Sequence, residues 1–407
     1  MSEDCLYINV IRPAGIDENA QLPVAIWIHG GGLTMGGSAD RRYNLSFIVE
    51  NSVELGTPII TVSFNYRMAA FRFLSGPEVQ ASGATNLGFR DQRHALWWIQ
   101  ENIAAFGGSP DKSGFGGGLH RYPGGLNNTS VASTNYKKLV QATSCASTYG
   151  TPASLQCLRD LSLADLMTVL SNRALDVAIW VPAIDGDLIA DYPSRQSADS
   201  RFIKVPVLVG QNTDEGASFG ANRSATSGPI NTDEQMAESV TRVIFGPNHP
   251  NLDNLVRELL YLYPDIQASK HGIPAWNYRL DVTNVGVPGY QSTAHFQEIP
   301  YTFSNLDGVG YARNPFEGAP KSYRTLAKVM SNTWIRFFVS IDPTAGTSTG
   351  RIESRVVQWP RYNPAEGGGV GRNIVWDGSK ISYMEWDSFR AEGVNWMIEN
   401  SLSALGT

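Results

Sequence analysis

The chain has 407 residues, 42% hydrophobic and 10% aromatic, which is enough to fill a large core and excludes global disorder. Asp and Glu number 38 against 32 Lys and Arg, giving a net charge of −6, and this argues against nucleic acid, because phosphates are gripped by basic side chains. No apolar run reaches the roughly 18 residues of a membrane-spanning helix, so no membrane span is expected, and the start, MSEDCLYINV, has neither the basic nor the apolar region of a secretory signal.

In chain order, Cys5 to Val10 reads as a strand. Leu22 to Gly32, LPVAIWIHGGG, is an apolar run that stops at a histidine and three glycines. Its continuity over Val24, Ala25, Ile26, Trp27 and Ile28 predicts a strand buried on both faces, as in a parallel sheet covered by helices. Backbone without Cβ at Gly30, Gly31 and Gly32 turns sharply and presents N–H groups, the way an oxyanion hole is built. Pro58 to Phe64 is a second β-branched run, followed by Asn65-Tyr66-Arg67. Over Asn86 to Phe106 the residues Leu87, Ala95, Trp98, Ile99 and Ile103 fall on one helical face, and Gly107-Gly108 ends the helix. Strand, loop, strand, then helix begins an α/β sheet.

Ser113 to Gly125 breaks this pattern: SGFGGGLHRYPGG has no β-branched run, so no central strand is expected there. Helical periodicity resumes from Tyr136 and again over Leu155 to Leu170. Phe202 to Gly210 reads as a strand, Gly220 to Pro229 as a loop, Leu252 to Tyr263 as a helix and Ala275 to Leu280 as a strand. A loop carries His295, Lys321 to Phe338 is a long helix, and Asp342 to Gly350 is a flexible segment. With no internal repeat and no linker, residues 1–407 read as one domain.

Cys145 and Cys157 are close enough in sequence to close a short disulfide loop, worth roughly 3 kcal/mol by chain entropy, and Cys5 is left over. Asn44, Asn127, Asn128 and Asn222 begin N-x-S/T sequons. An odd cysteine in such a composition, with no signal, leads to the expectation that upstream sequence is missing.

Several spaced motifs together resemble the type-B carboxylesterase and lipase family, which includes cholinesterases and fungal lipases. They are Ser2-Glu3-Asp4-Cys5-Leu6-Tyr7-Ile8-Asn9-Val10, His29-Gly30-Gly31-Gly32, Asn65-Tyr66-Arg67, Asn86-Leu87-Gly88-Phe89-Arg90-Asp91-Gln92, Asn102-Ile103-Ala104-Ala105-Phe106-Gly107-Gly108, Asp214-Glu215-Gly216 and Trp359-Pro360. The resemblance implies an α/β-hydrolase fold, an extracellular setting, no cofactor or metal, and hydrolysis of small-molecule or lipid esters by a Ser-Glu-His triad in that chain order. By the match Glu215 is the triad acid, which holds the imidazole tautomer, and His295 is the general base. Gly31 and Gly32 match the oxyanion donors, and Cys145 with Cys157 matches a family disulfide.

The family's Gly-Glu-Ser-Ala-Gly nucleophile elbow should follow Pro110-Asp111-Lys112, where Ser113-Gly114-Phe115-Gly116-Gly117-Gly118 stands instead. The domain is therefore expected to be incomplete, lacking N-terminal strands and the central nucleophile strand, and to be inactive or nearly so. Ser113 is the serine nearest the expected place, while Gly216-Ala217-Ser218-Phe219-Gly220 and Gly346-Thr347-Ser348-Thr349-Gly350 are literal G-x-S-x-G strings without the strand-turn-helix setting. A non-catalytic binding protein on the same scaffold, or a truncated or mis-spliced version of an active secreted esterase, are the alternative readings.

Overall fold

The computed structural model describes residues 3–117, 129–172, 175, 180, 182–220, 235, 273–285, 293–346, 356–368 and 370–388. Its first sheet holds β1 (Ile8–Ile11), β2 (Leu22–Ile28), β3 (Ile60–Phe64) and β4 (Gly108–Gly117) in the order β1-β3-β2-β4. β2 runs parallel to both β3 and β4, and β1 is antiparallel to β3. The second sheet holds β5 (Val207–Asn212), β6 (Ala275–Asp281), β7 (Arg372–Asp377) and β8 (Ile381–Trp386), parallel from β5 to β7 and closed by an antiparallel hairpin.

The apolar run of β2 behaves as its sequence requires: Val24, Ala25 and Ile26 are buried, as is every residue of β3. α1 (Ser46–Glu54) links these strands, and α2 (Leu87–Asn102) passes through a 3-10 turn, Ile103–Phe106, to a left-handed Gly107. Ala95, Ile99 and Ile103 lay the apolar face of this helix on Val24, Ile26, Ile60 and Val62.

α3 (Thr129–Gln141), α4 (Ala153–Asp160) and α5 (Leu163–Leu170) build a separate small core of Tyr136, Leu139, Val140, Cys145, Leu155 and Leu158. The helical pattern expected over Leu155 to Leu170 is carried by two helices. Leu161 leaves helical backbone at ψ 146°, and Ser162 caps α5 by accepting from the Asp165 N–H at 3.1 Å.

α6 (Glu215–Gly220) follows β5 directly, and α7 (Lys321–Ser340) packs on strands of both sheets. Leu326, Val329 and Met330 of α7 join Trp276, Leu280, Ile374 and Trp376 of the second sheet. One end of the helix, through Ile335 and Phe338, instead meets Ala25 and Trp27 of β2.

The expectation of no central strand here is met only in part, because a strand does follow α2, at an edge of the sheet among the described residues. Gly108–Gly117 is a strand, paired Val24 to Ser113, Ile26 to Phe115 and Ile28 to Gly117. Glycine suits this position because α7 packs straight onto the backbone: a Cβ at Gly114 would lie 2.9 Å from the Phe338 ring. Among the described residues β4 is an edge of its sheet, and Phe115 is 62% exposed on it. The strand expected over Phe202 to Gly210 begins only at Val207, since Ile203 and Val205 stand out in solvent. The helix read over Leu252 to Tyr263, nearly all of the Gly220 to Pro229 loop, Ser348 and the sequons at Asn127, Asn128 and Asn222 lie outside the described residues.

Candidate active site

The glycine turn leaves β2 through His29, which is buried and stacked on Tyr66 with ring centres 4.2 Å apart and planes 4° from parallel. The Tyr66 hydroxyl donates to the His29 carbonyl at 2.5 Å. Burial pushes the His29 pKa down, so this imidazole packs as a neutral ring. Gly31 has φ +123°, and a Cβ there would stand 1.9 Å from the Met35 carbonyl oxygen, so the turn requires glycine. The N–H groups of Thr34 and Met35 close it by donating to Gly31 O, each at 3.1 Å.

The motif Asn65-Tyr66-Arg67 holds this end of the sheet together in three directions. Asn65 Oδ1 accepts from the Ser38 N–H at 2.8 Å, and Tyr66 braces His29. Arg67 donates to both carboxylate oxygens of Asp91 on α2, Nε at 2.8 Å and Nη2 at 2.6 Å.

The two residues expected to be acid and base, Glu215 and His295, are assembled from the second sheet. Past Asn212 the chain is tied down by Thr213 N–H to Leu280 O at 3.0 Å and Asp214 N–H to Thr293 O at 2.9 Å, and α6 then starts on Glu215. These bonds lay the end of β5 beside the turn that carries His295. His295 Nδ1 donates to Glu215 Oε2 at 2.6 Å, while Glu215 Oε1 accepts from the Asn212 N–H at 2.8 Å. The bond to Glu215 is the main reason that the His295 pKa is raised; partial burial opposes it, and the charges of Glu215 and Glu298 add to it. The ring is 51% exposed and the carboxylate 38%, so the pair faces solvent on one side.

The histidine turn reaches the first sheet through aromatic packing. Phe296, held at φ +76°, sets its ring against Tyr43 at 5.8 Å with the Arg42 guanidinium 4.6 Å over it. Phe303 meets Trp27 of β2 edge-on at 4.9 Å. The strand that ends in the glycine turn is thus packed against the segment that carries His295.

Two residues of this network have no assigned role in the sequence reading. Glu298 is half-buried, and its desolvation raises its pKa. Asn212 Nδ2 donates to Glu298 Oε2 at 2.6 Å and to Ala294 O at 2.8 Å. The only linear cue is spacing: Asn212 lies three before the acid and Glu298 three after the base.

The described candidate serines stand apart from an elbow. Ser113 sits in the middle of β4 and donates to Ser109 O at 3.3 Å. Ser218, on α6, donates to the backbone carbonyl of His295 at 3.3 Å. Cys145 and Cys157 form the expected disulfide, and Cys5 carries a free thiol. Among the described residues no group of His, Cys, Asp and Glu is placed to hold a metal ion, and no helix is long and apolar enough to cross a membrane.

Mixed, largely parallel sheets with covering helices, and an acid and a histidine on successive loops, are the architecture of an α/β-hydrolase. The sequence profile of the Carboxylesterase family matches residues 1–113 and 124–370, and the chain belongs to that family. Lipase 5 of Diutina rugosa is 30% identical over 468 residues, covering 97% of this chain and 78% of the lipase. Para-nitrobenzyl esterase of Bacillus subtilis is 28% identical over 398 residues, covering 89% of this chain and 77% of the esterase. The crystal structure of Aspergillus niger EstA covers 100% of this chain and 85% of its own at a TM-score of 0.80 and 23% identity, a likeness of fold.

Proposed function

We propose that this chain carries the acid and base of a Ser-Glu-His carboxylic ester hydrolase, with Glu215 as acid, His295 as base and Gly31 and Gly32 as oxyanion donors, and lacks a nucleophilic serine. The observation that carries this reading is the 2.6 Å contact of His295 Nδ1 with Glu215 Oε2. It protonates the ring at Nδ1 and makes Nε2 the proton-accepting nitrogen. In the family reaction a serine hydroxyl gives its proton to that nitrogen and attacks the ester carbonyl, and water then releases the acyl group. A serine elbow would follow β4, but β4 ends at Gly117 and the next serine in the chain is Ser130, within α3. The family match passes over residues 114–123, the same place. Without the serine, ester turnover sits near background.

The substrate class is a small-molecule or lipid ester, by kinship with lipases and esterases. An extracellular setting is supported by the Cys145–Cys157 disulfide and by a 28% identical relative named secreted lipase 1, from Botryotinia fuckeliana; Asn44 is then a candidate glycosylation site. The test is hydrolysis of p-nitrophenyl butyrate together with labelling by a fluorophosphonate. The expected result is a rate indistinguishable from buffer and no labelled peptide. Turnover well above buffer with a labelled serine overturns the reading, and mass spectrometry of the peptide shows whether Ser113, Ser218 or Ser348 is responsible.

A further inference from the structure

Asn212, the last residue of β5, is buried and donates in three directions. Its backbone N–H goes to Glu215 Oε1 at 2.8 Å, and its Nδ2 goes to Ala294 O at 2.8 Å and to Glu298 Oε2 at 2.6 Å. We infer that Asn212 is a positioning residue for the Glu215–His295 pair, joining the strand that presents the acid to the turn that presents the base. The inference rests on the reading of Glu215 and His295 as the acid–base pair.

A primary amide suits this place because one nitrogen supplies two N–H donors, and both acceptors belong to the 294–298 turn. The two bonds bracket His295, Phe296 and Gln297, one at Ala294 before them and the other at Glu298 after. Phe296 sits at φ +76°, a conformation that a phenylalanine keeps only where its surroundings over-determine it. Asn212 supplies part of that constraint, and Ser218 supplies more by donating to the His295 carbonyl. Among the described residues, Glu215 and Glu298 act electrostatically on His295, Tyr43, Tyr278 and Tyr311 interact with Glu298, and Tyr278 also interacts with Glu215. Removing the amide leaves Glu298 and Ala294 O without this donor and frees the turn to shift relative to α6.

Asn212→Ala keeps the backbone N–H to Glu215 and deletes both side-chain bonds. The readouts are the proton resonance of His295 Nδ1–H, assigned by its loss in His295→Asn, and the NMR titration of the His295 ring. In the folded variant the resonance is expected to broaden or move upfield, and His295 to titrate lower by roughly half a unit or more as the bond to Glu215 loosens. Where Asn212→Ala does not fold, Asn212→Ser, which keeps a polar group but cannot reach both acceptors, is read in the same way. A lower melting temperature with both His295 signals unchanged is the mark of a structural role alone and overturns the inference. Neither readout depends on turnover, so the ester and fluorophosphonate results decide the functional reading separately.

Discussion

Glu215→Gln separates geometry from charge in the candidate pair. Two donors converge on one carboxylate, Asn212 N–H on Oε1 at 2.8 Å and His295 Nδ1 on Oε2 at 2.6 Å. A glutamine amide offers one acceptor oxygen and one NH2, so with the oxygen kept by the fixed Asn212 N–H the NH2 faces His295 Nδ1 and opposes the protonated ring. A hydrogen bond to a charged partner contributes about 1.5–3 kcal/mol. With the ring 51% and the carboxylate 38% exposed, solvent screening brings the loss down to about 1 kcal/mol. That corresponds to His295 titrating roughly 0.7 of a unit lower in the variant.

The sign of the pH dependence follows from the direction of the shift. His295 is raised in the folded protein. The stability gained from its protonated form is therefore fully present below the ordinary imidazole value, near 6.5, and is lost as pH rises through the folded value. Urea denaturation at about pH 6 is expected to show wild type ahead of Glu215→Gln by about 1 kcal/mol, and at about pH 8.5 the pH-dependent part of that gap is gone. An NMR titration of the ring checks the same quantity directly. Equal His295 titration in the two proteins, or a gap that widens as pH rises, refutes the reasoning.

The Cys145–Cys157 bridge spans a sequence separation of 12, for which loop-closure entropy gives about 2.8 kcal/mol; Cys145→Ser with Cys157→Ser should lower the urea midpoint accordingly, and an unchanged midpoint contradicts this. Asp91 has a side chain only 7% exposed against 35% for Arg67, so Arg67→Met, which removes the guanidinium and leaves the carboxylate the Arg67 backbone N–H at 3.0 Å, should destabilise by about 1–3 kcal/mol and more than Asp91→Asn. Equal losses in denaturant would refute the asymmetry. Gly114→Val drives a side chain into Phe338 and should cost about 1–3 kcal/mol in a chemical melt, with the second change Phe338→Ala recovering part of it; no recovery would show that the helix does not rest on the strand there.

The strands β2, β3 and β6, helix α2 and the long α7 are legible in the sequence because each is a sustained apolar pattern whose partners bury it from both sides or along one stripe. β4 is illegible for the reason that makes it possible. Strand propensity records how side chains pack, and over Gly114, Gly116 and Gly117 the packing is supplied from elsewhere, by Phe338 lying on bare backbone near Gly114. The hairpin β7–β8 is a different omission. Asn373 to Trp386 carries an Asp377-Gly378 turn between two runs with buried Ile374, Val375, Trp376 and Ile381, the usual short-range hairpin signal.

The candidate site divides along a similar line. Glu215, His295 and the glycines stand out because they belong to motifs, and histidine is scarce, with 6 in the chain. Asn212 and Glu298 are common residue types, and what gives them meaning is a meeting of segments 82 and 86 residues apart. No local period encodes such a meeting; it is decided by the parallel pairing of β5 with β6 and by the backbone bond from Asp214 to Thr293. On the reading of Glu215 and His295 as acid and base, a motif names the groups proposed to exchange a proton, and the strand register names the groups proposed to hold them still. In this chain Asn212 ties Glu215 and the turn of His295 together, while β4, the strand proposed to have carried a serine, ends at Gly117.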